Sequence, residues 1–215
     1  LNGAFDFGEI DENHSYIIIP DSAALSITGD LSIAFTMKRD GDNASENLIC
    51  KGITDGQRSY SVMSTNGGKL HFWITATGDS ADREYCEAVG VLADSSWQHI
   101  TVTYDADGDG GDGLMKAYID AVEKTFTPSG TIPSSIHDST EGLTIAHGLT
   151  TNYLAGKLDN IMIFNKVLTQ NEANWLHNQG VGREQFEDDA LCVDGFTGKP
   201  YLNGGGNTAK NGWII

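Results

Sequence analysis

The chain has 215 residues, in which 30 aspartates and glutamates outnumber 13 lysines and arginines and give a net charge of −17. This length suits one large β domain, and the charge excludes a nucleic-acid-binding role because phosphates would be repelled. No apolar run reaches the ~20 residues of a membrane-spanning helix, so no membrane span is predicted.

Alternation of apolar and polar residues predicts a succession of short strands. Leu31, Ile33 and Phe35, for example, alternate with polar or small residues, as in a strand with one face on a core. An opening pair of strands is predicted at 3–7 and 15–19, around an acidic loop. Later strands are predicted at 31–38, 46–51, 59–65, 69–76, 83–89, 121–126, 142–147 and 154–165, with Thr65–Gly68 as a hairpin turn.

A central hairpin is predicted between Trp97 and Asp120. Its two strands alternate, and the residues 105–113 between them are glycine, aspartate and alanine only. Glycine tolerates positive φ and none of these side chains can pack, so the segment predicts an oversized acidic turn.

The acidic turn is also a candidate calcium site. Carboxylates at alternate positions converge on a hard cation, as in the first half of an EF-hand loop. The position that needs a bidentate glutamate is Lys116, which excludes an EF-hand. A looser calcium site remains a candidate, with Asp105, Asp107, Asp109 and Asp112 as its ligands.

One helix is predicted late in the chain. Thr169 and Glu172 form a capping box, in which each side chain satisfies the other's backbone amide, and Gly180 ends the helix. About a dozen short strands with one late helix predict an all-β fold, an antiparallel sandwich.

The segment 181–215 differs in composition from the rest of the chain and is predicted to be a C-terminal extension of a sandwich at 1–180. It contains three consecutive glycines and ends in Trp-Ile-Ile, an apolar run that is predicted to be covered instead of left in water. The extension is predicted either to wrap the sandwich as a strand or to pair with a neighbouring copy as an arm.

The three cysteines do not form a CxxC motif, which argues against a zinc or redox site. A disulfide between Cys50 and Cys86 is one prediction. Unpaired thiols within strands are the alternative, and the odd count leaves one thiol free in either case.

Five segments, in this order, resemble the laminin-G-like domains of the concanavalin A-like lectin/glucanase superfamily. They are Tyr16–Ser22, Leu31–Thr36, Leu48–Gly52, the Trp-x-His-Ile-x-Val-x-Tyr-Asp strand with its acidic turn and Tyr-Ile-Asp return, and Gly156–Asn165 followed by Leu168-Thr169. The resemblance covers about residues 3 to 180. It implies a concanavalin A-like jelly-roll sandwich whose first strand pairs with the strand around Leu158–Phe164.

The same resemblance implies a structural calcium where the last long strand meets the N-terminal segment. It implies Asp159 as one ligand, with carboxylates of the first loop as the others, the candidates being Glu9, Asp11 or Glu12. Alternation along the last strand predicts that Asp159 shares a buried face with Ile161 and Ile163, where a carboxylate needs a partner.

No enzyme is predicted. The segment from Glu9 to Asp11 is similar to the Glu-x-Asp-x-x-Glu strand of laminarinase-type glucanases, but neither Asn13 nor His14 supplies the second glutamate that their chemistry needs. No histidine lies in an HExxH motif, and no GxSxG motif is present. His99, in the central strand, is predicted to be packed instead of catalytic.

The predicted function is that of a non-catalytic, extracellular carbohydrate-binding or adhesion module. The predicted ligand contacts are Trp73 and Tyr85 as stacking rings, with Asp79 and Asn152 as hydroxyl partners. Alternation does not decide whether Trp73 or its neighbour Phe72 faces the core. The alternative is a structural or decoration subunit of a virion or cell-surface assembly, in which residues 181–215 link copies into an oligomer. The partner is accordingly a glycan or a surface protein.

Overall fold

The computed structural model describes residues 3–8, 15–41, 45–110, 112–148 and 152–177, and the backbone of 191–193, 200–202 and 213–214. The strands are β1 Phe5–Asp6, β2 Ile17–Ile19, β3 Leu31–Arg39, β4 Ser45–Lys51, β5 Tyr60–Thr65, β6 Lys69–Ile74, β7 Glu84–Ala88, β8 Trp97–Asp109, β9 Asp112–Ile119, β10 Val122–Lys124, β11 Thr127–Pro128, β12 Leu143–Ile145, β13 Gly156–Phe164, β14 Leu191–Val193, β15 Pro200–Leu202 and β16 Trp213–Ile214. The α-helix, α1, is Gln170–His177.

Two large antiparallel sheets contain most of the described strands. Sheet A has the order β1-β13-β3-β8-β9-β10, with β16 also paired to β13, and sheet B has the order β11-β7-β6-β5-β4-β12-β2. This confirms the predicted antiparallel sandwich with one short helix. The described part of the chain contains no helix long and apolar enough to cross a membrane.

The core lies between the two sheets and uses alternate residues of each strand. In sheet A, Ile33 and Phe35 are fully buried, and in sheet B so are Leu70 and Phe72. All four belong to one cluster that includes residues of both sheets. Burying one such side chain contributes about 1.5–3 kcal/mol, so this cluster holds the two sheets together.

A buried ion pair also joins the sheets. The Nε of Arg39, at the end of β3, lies 3.2 Å from Oε2 of Glu46 on β4, and both side chains are fully buried. Glu46 accepts further hydrogen bonds from the Ser64 hydroxyl at 2.8 Å and the Ala155 amide at 3.0 Å. The carboxylate is therefore compensated on several sides, as a buried charge requires.

The N-terminal strands lie in different sheets. Phe5 of β1 is opposite Leu158 of β13, which confirms the predicted pairing of the first strand with the last long strand. Ile18 of β2 is opposite Thr144 of β12 in sheet B. The prediction that β1 and β2 pair with each other is therefore wrong, because each completes the edge of a different sheet.

A β-bulge in β13 reverses the predicted orientation of Asp159. The register with β3 shifts between Asp159 and Met162, and Asn160 has a φ of 52°. Leu158 and Ile161 therefore both face the core, while Asp159 lies opposite Thr36 and is half-buried. The prediction that Asp159 shares a face with Ile161 is wrong because the bulge adds one residue to the alternation.

The central hairpin is longer and its turn shorter than predicted. Asp105 pairs with Leu114, and Asp109 pairs with Asp112, with an irregularity between these pairs. A Cβ on Gly108 would lie 2.7 Å from the Cβ of Leu114, so glycine allows the two strands to approach closely. The acidic segment thus extends the ladder instead of forming one large turn.

Helix α1 begins with the predicted capping box. The Thr169 amide donates to Oε2 of Glu172 at 2.8 Å, and the Glu172 amide donates to the Thr169 hydroxyl at 3.3 Å. Leu176 of the helix packs with Ala34 and Met162 on the outer face of sheet A. The predicted end at Gly180 lies outside the described residues.

Cys50 and Cys86 are free and buried, so the predicted disulfide is wrong and the alternative of unpaired thiols is confirmed for these two residues. They lie on β4 and β7, three strands apart in sheet B, which corresponds to roughly 14 Å. A disulfide needs Cα atoms within about 7 Å. Burial raises the pKa of each thiol to about 12.

The C-terminal strand β16 pairs with β13, with Ile214 opposite Met162 and Trp213 opposite Ile163. It therefore adds to the same edge of β13 as β1. Strands β14 and β15 pair with each other in a separate two-stranded sheet. The predicted domain boundary at residue 180 lies outside the described residues.

Candidate functional site

The outer face of sheet B carries the aromatic residues that the sequence singled out. On β6, Phe72 and Ile74 belong to the core, so alternation turns His71 and Trp73 to the outer face. Trp73 lies opposite Tyr85 of β7 in the ladder. The structure therefore shows that Phe72 faces the core and Trp73 the outer face, which alternation alone could not decide.

His71 and Tyr85 form a stacked pair. Their ring centroids are 5.0 Å apart and their planes differ by only 8°. Both side chains are half-buried, so the pair presents aromatic surface to solvent on a rigid strand. Flat aromatic surface of this kind packs against apolar faces of ligands.

Charged groups border the stacked pair on one side. Nε2 of His71 lies 3.0 Å from Oε2 of Glu87, and the Lys69 ammonium lies 3.3 Å from the same oxygen. The side chains of Lys69 and Glu87 are 36% and 28% exposed. This arrangement offers hydrogen-bond donors and acceptors beside an aromatic surface.

The electrostatics of the face keep His71 neutral and Glu87 ionised at neutral pH. Burial lowers the pKa of His71, and Glu87 opposes this only in part, while the positive charges of Lys69 and Arg83 lower it further. Burial alone would raise the pKa of Glu87, but the hydrogen bond and charge of Lys69, together with His71, lower it overall.

Trp73 is only 3% exposed. Its Nε1 lies 3.3 Å from the sulfur of Met63, and the Arg83 guanidinium lies 5.8 Å from the centre of its ring. The direct ligand contact expected of Trp73 stays a prediction, and this burial favours a supporting role beneath Arg83.

Of the two predicted hydroxyl partners, one lies in the loop that joins the strands of the stacked pair and the other lies farther away. Asp79 is exposed in the loop that follows β6, where its amide donates to the Thr77 hydroxyl at 3.3 Å. The carbonyl of Asn152 accepts the amide of Asn47 at 3.0 Å. Because Asn47 belongs to β4, this contact is two strands away from Trp73.

A second aromatic cluster, which sequence reasoning missed, lies at the other end of sheet B. The rings of Tyr16 and His147 stack with centroids 4.8 Å apart, and those of His147 and Tyr153 with centroids 4.7 Å apart. Tyr16 is 47% exposed. Alternation could have shown that Tyr16 turns outward, since Ile17 and Ile19 pack against the core, but no sequence pattern joins it to residues so distant in the chain.

The described residues alone do not supply a calcium donor set. The predicted ligands Glu9, Asp11 and Glu12 lie outside them, and Oδ1 of Asp159 accepts the Asn160 amide at 2.8 Å. In the turn of the central hairpin, Oδ1 of Asp105 accepts the Asp107 amide at 3.2 Å, and Asp109 and Asp112 pair through their backbones. Within the described ranges, no three His, Cys, Asp or Glu side chains are grouped closely enough to hold a metal ion.

A comparison with family profiles confirms the resemblance drawn from the sequence. The profile of the concanavalin A-like lectin/glucanases superfamily matches residues 11–174. No curated protein sequence matches the chain.

Solved structures give the same fold at low sequence identity. A carbohydrate-binding module of the Ruminococcus gnavus IT-sialidase, bound to α2,3-sialyllactose, has 12% identity and a TM-score of 0.56, over 78% of this chain and 98% of the module. A botulinum neurotoxin type C structure, described as interacting with two ganglioside molecules, has 16% identity and a TM-score of 0.58, over 82% of this chain and 42% of that one. The binding domain of botulinum neurotoxin DC in complex with rat synaptotagmin II has 14% identity and a TM-score of 0.56, over 79% and 41%. The chain thus spans nearly all of the first structure and less than half of the two toxin structures.

Proposed function

We propose that this chain, which belongs to the concanavalin A-like lectin/glucanase superfamily, is a non-catalytic carbohydrate-binding module. The observation that carries the proposal is the stacked pair of His71 and Tyr85 on the outer face of sheet B, bordered by Lys69 and Glu87. Solved structures of the same fold include proteins described with sialyllactose and with gangliosides, which supports the same ligand class.

The proposed contact has an apolar and a polar part. The C–H face of a sugar ring packs against Tyr85 and His71, while Glu87 accepts hydrogen bonds from hydroxyl groups and Lys69 donates to ring or hydroxyl oxygens. The face is open and the groups are few, so single-site affinity is expected to be weak. Useful binding then requires several copies on one surface, where multivalency raises the overall affinity. Such a module acts outside the cell or at its surface.

Titration of a glycan panel with the purified chain, followed by NMR or calorimetry, tests this function. Tyr85→Ala is expected to weaken binding about tenfold, the effect of losing about 1.4 kcal/mol of stacking energy. Phe5→Ala is the matched control, because Phe5 is an aromatic residue that is 43% exposed but lies on β1 of sheet A. Glycan binding that survives Tyr85→Ala unchanged would reject this face as the site.

The cluster of Tyr16, His147 and Tyr153 is proposed as a second contact for longer glycans. It lies at the β12–β2 end of sheet B, and the stacked pair lies at the β6–β7 end. Tyr16→Ala is expected to weaken binding of long oligosaccharides and to leave binding of short ones unchanged. Equal effects on both lengths would contradict this division.

A second candidate function is that of an assembly subunit of a virion or cell surface. The observation that favours it is the pairing of β16 with β13, because a strand that adds to its own sheet can also add to the same sheet of a neighbouring copy. Light scattering of the intact chain and of a variant lacking residues 181–215 tests this idea. A monomer in both cases would contradict it.

A further inference from the structure

Arg83 differs from the other cations around sheet B in having no acidic partner within the described part of the chain. Most of the described lysines and arginines form ion pairs, as expected in a chain with a net charge of −17. The pairs on or beside sheet B include Lys51 with Asp21, Arg58 with Asp55, and Lys69 with Glu87. Among the described residues Arg83 forms no ion pair, and its guanidinium lies over the ring of Trp73.

The backbone directs Arg83 to the outer face of sheet B. It follows the short 3-10 turn Ser80–Asp82 in an extended conformation, with φ −73° and ψ 115°. Strand alternation then places Arg83, Tyr85 and Glu87 on one face. The guanidinium, 5.8 Å from the centre of the buried Trp73 ring, is exposed to solvent. Packing beneath it reduces the side-chain entropy that binding would otherwise cost.

Among the described residues, the acidic side chains nearest to Arg83 in sequence contact other groups. The carboxylate of Asp82 accepts the Thr77 hydroxyl at 2.5 Å. Glu87 lies four residues along the strand, a Cα separation of roughly 14 Å. Glu87 is also paired with Lys69. Arg83 therefore offers an exposed guanidinium, without an ion-pair partner among the described residues, beside the aromatic pair.

We infer that the glycans bound by this face carry a carboxylate, as in sialic or uronic acids, and that Arg83 binds that carboxylate while the sugar ring packs on Tyr85 and His71. The inference rests on the proposed function and specifies its ligand class. A guanidinium presents paired N–H donors that match the two oxygens of a carboxylate. Long polyanions are disfavoured because the chain as a whole is strongly acidic.

Matched pairs of sugars, differing only in the carboxylated unit, test the inference. The pairs are 3′-sialyllactose with lactose, and a glucuronic-acid-terminated disaccharide with its glucose-terminated counterpart. The intact chain is expected to bind one or both carboxylated members at least about tenfold more tightly, the effect of a hydrogen bond to a charged group. The two pairs separate sialic from uronic acid as the source of the carboxylate.

Variants assign the effect to one side chain. Arg83→Gln is expected to remove the preference and leave binding of the neutral members unchanged, whereas Arg83→Lys retains the charge and only part of the preference. Lys124→Gln is the matched control, since Lys124 of β10 in sheet A also forms no ion pair among the described residues, and it is expected to change nothing. Circular dichroism and thermal unfolding check that each variant is folded.

The outcomes separate this inference from the proposed function. Equal binding of neutral and carboxylated members, or a preference that survives Arg83→Gln, overturns the inference and leaves a glycan-binding function standing. Absence of binding to every member of the wider glycan panel overturns both. Preference lost in Arg83→Gln and kept in Lys124→Gln supports both.

Discussion

Acidification is expected to destabilise the fold through His99. This residue of β8 is 2% exposed on the outer face of sheet A, opposite Thr36 of β3. Its ring centre lies 5.9 Å from that of His177 on α1, and its amide donates to Oδ1 of Asp120 at 2.8 Å. Neither ring nitrogen has a hydrogen-bond partner among the described residues. Burial, with a smaller contribution from the charge of His177, lowers the pKa of His99 from 6.5 to about 4.

The sign and size of the effect follow from this shift. Between pH 6.5 and 4 the unfolded chain binds a proton at His99 that the folded chain does not, so stability falls as the pH falls. The part of the folding stability that depends on a neutral His99 is fully present above about pH 6.5 and is lost by about pH 4. Each pKa unit corresponds to about 1.36 kcal/mol, so the full loss is about 3 kcal/mol.

Urea unfolding between pH 4 and 7.5, followed by tryptophan fluorescence, measures the effect. Between pH 7.5 and 4, the free energy of unfolding of His99→Phe is expected to fall by about 3 kcal/mol less than that of the unmodified chain. His99→Gln serves as a second variant in case the larger phenylalanine ring disturbs the packing. His177→Gln should weaken the dependence slightly, because one positive neighbour is removed. Equal acid sensitivity with and without His99, or an NMR titration of His99 with a midpoint near 6.5, would refute the reasoning.

Two further predictions concern the ion pair between the sheets and calcium. Arg39→Met is expected to cost about 3–5 kcal/mol in urea unfolding, because the buried carboxylate of Glu46 is left without its cation. A double variant that also carries Glu46→Leu should recover most of that loss, and additive losses would contradict the explanation. We also propose that Asp159 and the 9–12 loop bind calcium, so that added calcium raises the melting temperature and chelator lowers it. Asp159→Asn should then abolish the response and Asp105→Asn should not. If the central hairpin binds the ion instead, Asp105→Asn should abolish the response and Asp159→Asn should not. A chelator that leaves the melting curve of the unmodified chain unchanged would reject both sites.

Much of the architecture could be predicted because it depends on patterns among residues that are close in the sequence. The alternation of Leu31, Ile33 and Phe35 predicted β3, and the capping box of Thr169 and Glu172 predicted the start of α1. These signals involve residues that are close in sequence, and the packed sheets reinforce them.

The orientation of key side chains could not be predicted because it depends on distant contacts. The bulge at Asn160 turns Asp159 to the outer face. The position of the extra residue cannot be recognised from the alternation of apolar and polar residues in the sequence. The burial of Trp73 depends on Met63 and Arg83, and the stack of Tyr16 on His147 joins residues more than a hundred positions apart. The same limit explains the wrong disulfide, since sequence spacing does not reveal that three strand positions separate Cys50 from Cys86.

The shared edge of β13 has a consequence for handling truncated forms of the protein. The outermost strands of the two sheets, such as β2, β10 and β11, have only two or three residues, which makes them poor templates for intermolecular pairing. β13 has nine residues, with a buried Ile161–Phe164 run, and is covered on one side only by the short strands β1 and β16. Removing either end of the chain would uncover part of a long, apolar, β-prone edge of the kind that seeds aggregation. Insolubility of a truncated form should therefore be attributed to this uncovered edge before it is taken as loss of the binding face on the opposite sheet.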